Sequence, residues 1–382
     1  MKHVIIEGCR GINHSVTMVN QYLMIELLKM DGITLYHKDV PFHNPLWNEV
    51  DNPAGFPLIN TEQIKSVPAP EPGWYDCIYS TVGFEKRPRP LADKTITFHV
   101  TEFGVPPHPD KRLITDLFSR GNNVLTAPSN WVIDKLTAVG YPAEKIVLIP
   151  HGVNPQIFFP SSAEERTLVR RQVGANPEHF IFMNIGSMAW CKGVDLLIRA
   201  FADVRKSHSN ARLVLKDNSD LYGISVDRIL EEISHTFPDL VTDEVRSSIV
   251  LIKSTMPLQT LRLLYGAADA YVTPYRAEGF NMTVLEAIAC GIRTIVTEGG
   301  ATDDFCNNDT TLFVKSYRID NEARGIGIPG FHLEPDVTHL IHQMNSVISN
   351  SSTDKTSFEA GRNRILDNYT WEACAKKLSS LF

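Results

Sequence analysis

Short apolar runs alternate along this chain with longer stretches in which apolar positions recur every three or four residues. The first pattern marks strands buried on both faces; the second marks amphipathic helices. "HVIIEG", His3–Gly8, is a compact apolar run closed by glycine and reads as a first buried strand. "SVTMVNQYLMIELLKM" then sets Val16, Val19, Leu23, Leu27 and Met30 at helical spacing, with Ser15 as the expected N-cap. "ITLYHKD" reads as a second strand. Between Pro41 and Pro72 there are seven prolines, which predicts an irregular excursion rather than a packed element. Three β-rich runs follow, "DCIYST", "TITFHV" and "NVLTAPS". "WVIDKLTAVG" is a predicted helix closed at Gly140, and "KIVLIP" a further strand.

"HGVNPQIFFPSS" carries proline and glycine and reads as a hinge. Beyond it the alternation restarts. "HFIFMNIG", "RLVLKDN", "SIVLIKS", "AYVTP", "RTIVTE" and "TLFVKS" read as strands, separated by helices starting near Gly193, Val226, Leu258, Met282 and Thr302. Such repetition predicts an α/β protein with mostly parallel sheets covered on both faces. Two halves of this kind predict two Rossmann-like domains facing a central cleft, at residues 1–155 and 156–355. Terminal helices at 356–382 follow, and their return to the first domain is left open. Ligands of such folds bind outside the carboxyl ends of the strands, so the loops after strands are where chemistry is to be sought.

Bulk composition narrows the classes. At 382 residues the chain exceeds one ordinary core. A hydrophobic content of 43% with 21% charged residues describes a globular protein, and a net charge of -7 argues against a nucleic-acid partner. Cys9, Cys77, Cys191, Cys290, Cys306 and Cys374 lie far apart with no metal-ligand spacing, which predicts free thiols in a reducing compartment. The apolar run in "MKHVIIEGCRG" is too short for a signal peptide, and no segment reaches the ~20 apolar residues of a membrane span. A cytoplasmic protein is expected.

The chemistry concentrates in "YVTPYRAEGFNMTVLEAIACG", Tyr271 to Gly291. "AYVTP" ends a strand and "NMTVLEAIAC" starts a helix, so Glu278, Gly279, Phe280 and Asn281 form the turn between them. Free N–H groups and the positive helix end suit a phosphate there, and Gly279 admits close backbone approach. Glu278 in the loop and Glu286 inside the helix are carboxylates able to accept hydrogen bonds from vicinal hydroxyls. Two diol-binding acids around a phosphate site describe a nucleotide-sugar ligand, with sugar at one end and ribose at the other.

This segment resembles the E-x7-E motif of retaining glycosyltransferases of the family 4 group, which have the GT-B fold. "NIGSMAWCKGVDLLIRAFADV", "LTAPSNWVIDKLTAVGYPAEKIVLIPHGVNPQIFFP" and "VTEGGATDDF" are similar to further segments of that group. The resemblance covers roughly the second two-thirds of the chain. It implies that Glu278 contacts the donor hexose, that Gly279, Phe280 and Asn281 bind sugar or phosphate, and that Glu286 holds the ribose. Lys192 matches the lysine that neutralises the departing diphosphate. Gly186 and Ser187 fall in the donor-binding loop, but many members carry arginine where this chain has Ser187. Lys216, ending "RLVLKDN", is a candidate for the second positive charge. His99 is implied as a histidine hydrogen-bonding the donor sugar, so Glu278, Lys192 and His99 form the expected catalytic set. Glu102 is a candidate acceptor-side base or ligand. In "EGCRGINHS", Gly11 is the candidate for approaching the diphosphate from the other domain.

No DxD motif stands at a strand end, Asp303 and Asp304 being adjacent, so metal-independent catalysis without a cofactor is expected. The expected activity is transfer of a hexosyl group from a UDP- or GDP-sugar to an acceptor hydroxyl, with retention of configuration. The acceptor would be a carbohydrate or a lipid-linked glycan. A non-catalytic GT-B scaffold, favoured by Ser187, and a nucleotide-sugar epimerase are the alternatives. "GCRGINHS" departs from G-x-G-x-x-G and speaks against a dinucleotide dehydrogenase. Basic residues in "FEKRPRPLADK" and "DKRLITDLFSR" leave peripheral contact with the inner face of a membrane open.

Overall fold

A computed structural model describes residues 1–51, 53–81, 91–104, 122–349 and 355–382. The chain divides into two compact units. The first comprises Met1–Gly152, Asn321–Gly330 and Tyr369–Phe382; the second comprises Val153–Asp320 and Phe331–Asn368. Of the two basic stretches weighed for membrane contact, residues 84–90 and 110–120 lie outside the described residues. Among the described residues no helix is long and apolar enough to cross a membrane.

The first unit is built on β1 (Lys2–Gly8), β2 (Ile33–Asp39), β3 (Trp74–Ser80), β4 (Leu91–Phe98), β5 (Asn122–Ala127) and β6 (Ile146–Leu148). They form one sheet in the order β2-β1-β3-β4-β5-β6, every neighbouring pair parallel. Val4, Ile5 and Ile6 are wholly buried, as a continuous apolar run requires when a sheet is covered on both faces. The helix Ser15–Leu27 covers part of the sheet, and the helix Trp371–Ser379 packs beside it. Trp371 stacks on Tyr22 with ring centroids 4.7 Å apart and on His151 at 5.9 Å. Gly152 makes room for it, since a Cβ there would fall 2.3 Å from the Trp371 backbone nitrogen.

The second unit carries β7 (Phe180–Gly186), β8 (Ala211–Asp217), β9 (Ile249–Ile252), β10 (Ala270–Thr273), β11 (Arg293–Thr297) and β12 (Thr311–Val314). Their order is β12-β11-β10-β7-β8-β9, again all parallel. Its core joins Leu197 and Phe201, from the helix Val194–Ser207, to Phe182, Leu213 and Val272 of the sheet. The two Rossmann-like, parallel-sheet units expected from the alternating pattern are therefore present.

Four details differ from the sequence reading. A helix, Leu58–Ser66, stands inside the proline-dense stretch because Pro57 and Pro68 flank it without interrupting it. Ser15 is the first helical residue rather than the cap; His14 takes the cap position and makes no side-chain capping bond. The helix expected near Thr302 is a single 3-10 turn, Ala301–Asp304. There Thr302 is held to the Tyr275 hydroxyl at 2.7 Å, and the turn ends at Phe305. An antiparallel hairpin of β13 (Ser316–Asp320) and β14 (Phe331–Pro335) was not foreseen. All six cysteines are free thiols.

Candidate active site

In the second sheet the chain moves from β7 outward through β8 to β9, then returns to lay β10 on the other side of β7. Connections leaving such a pair run in opposite directions, and a crevice opens outside the carboxyl ends of the two strands. The sequence puts Gly186 to Gly193 on one side of that opening and Pro274 to Asn281 on the other. The strands are tied by more than their ladder. Asn184 Nδ2 donates to the Val272 carbonyl at 2.7 Å. The Tyr271 hydroxyl lies 3.0 Å from the Ile185 carbonyl and 2.7 Å from Thr283 Oγ1.

Lys192 closes a 3-10 turn, Trp190–Lys192, and Gly193 follows with φ 67°. A Cβ on Gly193 would lie 1.9 Å from the Pro274 carbonyl oxygen, so only glycine lets the two segments approach this closely. The approach brings Lys192 Nζ within 2.9 Å of Glu278 Oε1. These residues, 86 positions apart in the chain by their numbers, are the two with the largest expected roles. Backbone bonds fix the same turn, because the Arg276 and Ala277 N–H groups both donate to the Cys191 carbonyl, at 2.6 and 3.3 Å.

The helix Met282–Ala289 starts from Asn281, whose φ of 75° is the only positive value at a non-glycine among the described residues. Thr283 Oγ1 donates to Asn281 Oδ1 at 2.8 Å, while the buried Asn281 Nδ2 has no hydrogen-bond partner. Phe280 is buried and stacks on Phe305 at 5.0 Å. The helix end so presented favours an anion. One turn in, Glu286 Oε2 accepts a 2.8 Å bond from the Tyr265 hydroxyl. Burial raises the Glu286 carboxyl to about 7, against the opposing pull of the Tyr265 bond. Burial also pushes the Tyr265 hydroxyl well above its ordinary value, so it remains a donor.

The other expected residues are dispersed. Gly186 ends β7 beside open space, with nothing within 4 Å of a Cβ placed on it. Ser187 Oγ accepts from the Ala189 N–H at 3.1 Å. Lys216 is buried at the end of β8 and bonds to Asn218 Oδ1. Burial lowers its ammonium to about 8, against the pull of Asp217 and Asp220. His99, Glu102 and Gly11 belong to the first unit. The His99 ring lies 6.4 Å from that of Tyr141, and burial lowers its pKa. The Glu102 carbonyl accepts from Trp131 Nε1 at 2.9 Å. Gly11 has φ 94°, its N–H donates to Gln21 Oε1 at 2.9 Å, and a Cβ on it would fall 2.3 Å from Glu49 Oε1. Among the described residues no group of three His, Cys, Asp or Glu side chains is placed to hold a metal ion.

Sequence reasoning missed Arg276. It is 3% exposed and bonds to Asp195 at 2.7 and 2.8 Å and to Glu334 at 2.9 and 3.2 Å. A lone arginine two residues before the loop glutamate was the available signal, but its partners lie too far along the chain to be read from spacing.

Comparison with known proteins bears on this geometry. Residues 165–328 match the family model of glycosyl transferases group 1. That span includes the Lys192 turn, the Glu278 loop and the helix bearing Glu286. Over 242 residues the chain is 25% identical to an uncharacterized glycosyltransferase of Methanocaldococcus jannaschii, covering 63% of this chain and 54% of that protein. It is 32% identical over 189 residues to mannosylfructose-phosphate synthase of Agrobacterium fabrum, covering 49% and 40%. The chain thus spans about half the length of these curated relatives. The crystal structure of Anabaena HepE in complex with UDP superposes with a TM-score of 0.67 at 13% identity, covering 100% of this chain and 99% of that one. The fold of this chain is that of such two-domain α/β structures, the GT-B type.

Proposed function

We propose that the chain is a glycosyltransferase that moves a hexosyl group from a nucleoside diphosphate sugar to an acceptor hydroxyl, with retention at the anomeric carbon. The observation that carries this reading is the 2.9 Å ion pair between Lys192 and Glu278 at the β7–β10 crevice, next to the start of the helix Met282–Ala289. In the proposed reaction the bond between the anomeric carbon and the diphosphate oxygen breaks. The acceptor oxygen bonds to that carbon from the same face, and its proton passes to the departing phosphate. Negative charge grows on the diphosphate as it leaves, and Lys192 together with the helix end supplies the opposing charge. Glu278 accepts hydrogen bonds from hexose hydroxyls and Glu286 from the ribose, with Gly186, Ser187, Gly279, Phe280 and Asn281 lining the donor. Lys216 is assigned to the diphosphate, His99 to the donor sugar, Glu102 to the acceptor and Gly11 to the diphosphate.

The relatives and neighbours support the reading by what they are named for: a mannosylfructose-phosphate synthase, and a HepE structure holding UDP. Because Lys192 supplies the cation, the scheme needs no divalent ion. The test is a panel of UDP- and GDP-hexoses with carbohydrate and lipid-linked glycan acceptors, with products and anomeric configuration read by mass spectrometry and NMR. Transfer that persists in excess chelator and collapses in Lys192→Met is the expected result. A chain that binds UDP or GDP but transfers no sugar in any combination would instead be a scaffold of this fold, the reading that Ser187 favours.

A further inference from the structure

We propose that Arg276 is a positioning residue for this site: its guanidinium clamps the two segments from which Lys192 and Glu278 project. The inference deepens the transferase reading and rests on it. Arg276 Nη1 and Nη2 donate to Asp195 Oδ1 and Oδ2 at 2.7 and 2.8 Å, a two-pronged grip on the first turn of the helix after Lys192. Nε and Nη2 donate to the Glu334 carboxylate on β14 at 2.9 and 3.2 Å. Nη1 also donates to the Trp190 carbonyl at 3.0 Å, and the guanidinium lies 4.5 Å from the Trp190 ring centroid.

The backbone of Arg276 repeats this arrangement. Its N–H donates to the Cys191 carbonyl, and its own carbonyl accepts from the Leu333 N–H at 2.8 Å. Arg276 therefore reaches the residues immediately before and shortly after Lys192, while standing two positions from Glu278. The planar five-donor fork grips both carboxylates with two bonds each and a carbonyl besides; lysine has three donors at a single point of charge. Asp195 and Glu334 neutralise the arginine with a surplus negative charge, which leaves Lys192 as the cation directed to Glu278. Arg166 and Arg170 form a comparable cluster with Asp269 in the same unit, which provides an internal control.

The experiment uses the full chain and four variants: Arg276→Lys, Asp195→Asn, Glu334→Gln and, as control, Arg166→Lys. Two quantities are measured: steady-state transfer from the donor sugar, and the rate of acylation of Lys192 followed by peptide mass spectrometry, with exposed Lys206 as reference. For Arg276→Lys, kcat should fall about 100-fold while donor KM moves less than about threefold, since a displacement near 1 Å misaligns the reacting groups. Acylation of Lys192 should rise about fivefold as its pairing with Glu278 loosens, with Lys206 unchanged. Asp195→Asn and Glu334→Gln should show smaller shifts in the same sense, and Arg166→Lys should alter stability alone. Unchanged kcat per folded molecule and unchanged Lys192 labelling in Arg276→Lys and Asp195→Asn would overturn the proposal. A labelling shift in a protein whose wild type transfers no sugar would uphold the positioning role and refute the transferase reading.

Discussion

The two sheets have related orders, and each leaves an opening where its strand order reverses, between β1 and β3 in the first unit and between β7 and β10 in the second. What the chain places there differs. At the first opening Glu7 is wholly buried, with Lys38 Nζ at 3.0 Å and Ser80 Oγ donating at 2.8 Å. The nearby Gly11 N–H is committed to Gln21, and Glu49 packs against that glycine. At the second opening Lys192 and Glu278 retain partial exposure of their side chains, 19% and 12%, beside a helix start whose Asn281 amide nitrogen is unmatched. Topology makes a crevice in both units; the burial of the carboxylate, complete at Glu7 and partial at Glu278, separates a pair that serves the fold from one within reach of a ligand.

This contrast can be tested from both sides. Lys192→Met should reduce kcat by roughly 100- to 1000-fold with donor KM changed only a few-fold, as for loss of a group acting on the leaving charge; equal loss in KM would assign the lysine to ground-state binding. Lys38→Met should instead lower stability by about 3 kcal/mol in a urea titration, because it strips the cation from buried Glu7. Turnover per folded molecule should be unchanged.

Glu286 gives a subtler effect, with two opposite signs. Its carboxyl titrates near 7 in the folded chain, above the ordinary 4.5. The folded state therefore holds more protons between those values, and melting temperature should fall as pH rises through that window. Donor KM should improve over the same rise, by up to about tenfold, as the carboxylate that accepts ribose hydrogen bonds becomes ionised. Glu286→Gln should flatten both profiles. Smallest of all, Tyr265→Phe should cost about 1 kcal/mol of stability, the worth of one hydrogen bond, and move the donor-KM transition to higher pH, because the bond that holds the Glu286 carboxyl down is lost.

Much of this was legible from residue order alone. Continuous apolar runs such as "VIIEG" and "FIFMNIG" announce buried parallel strands because both faces of the sheet are covered. The end of "AYVTP" and the start of "NMTVLEAIAC" locate a strand-to-helix turn at Glu278 to Asn281. Local patterning could not reveal what long-range packing decides. The helix Leu58–Ser66 buries only Ile64, so it lacks an apolar stripe, and the prolines beside it dominate the reading. In the hairpin, β13 has no buried residue while β14 buries His332, Leu333 and Pro335, so neither strand alternates. Arg276 looks like an ordinary loop cation until Asp195 and Glu334 are brought to it by the fold.

The seating of Trp371 against Tyr22 and His151 has a consequence for biogenesis. During translation the N-terminal sheet leaves the ribosome long before the helix that completes it is made. The whole of β7 to β12 emerges in the interval. The half made first is thus finished last, and until then the Tyr22 ring, which ends almost wholly covered, stays open to chaperones.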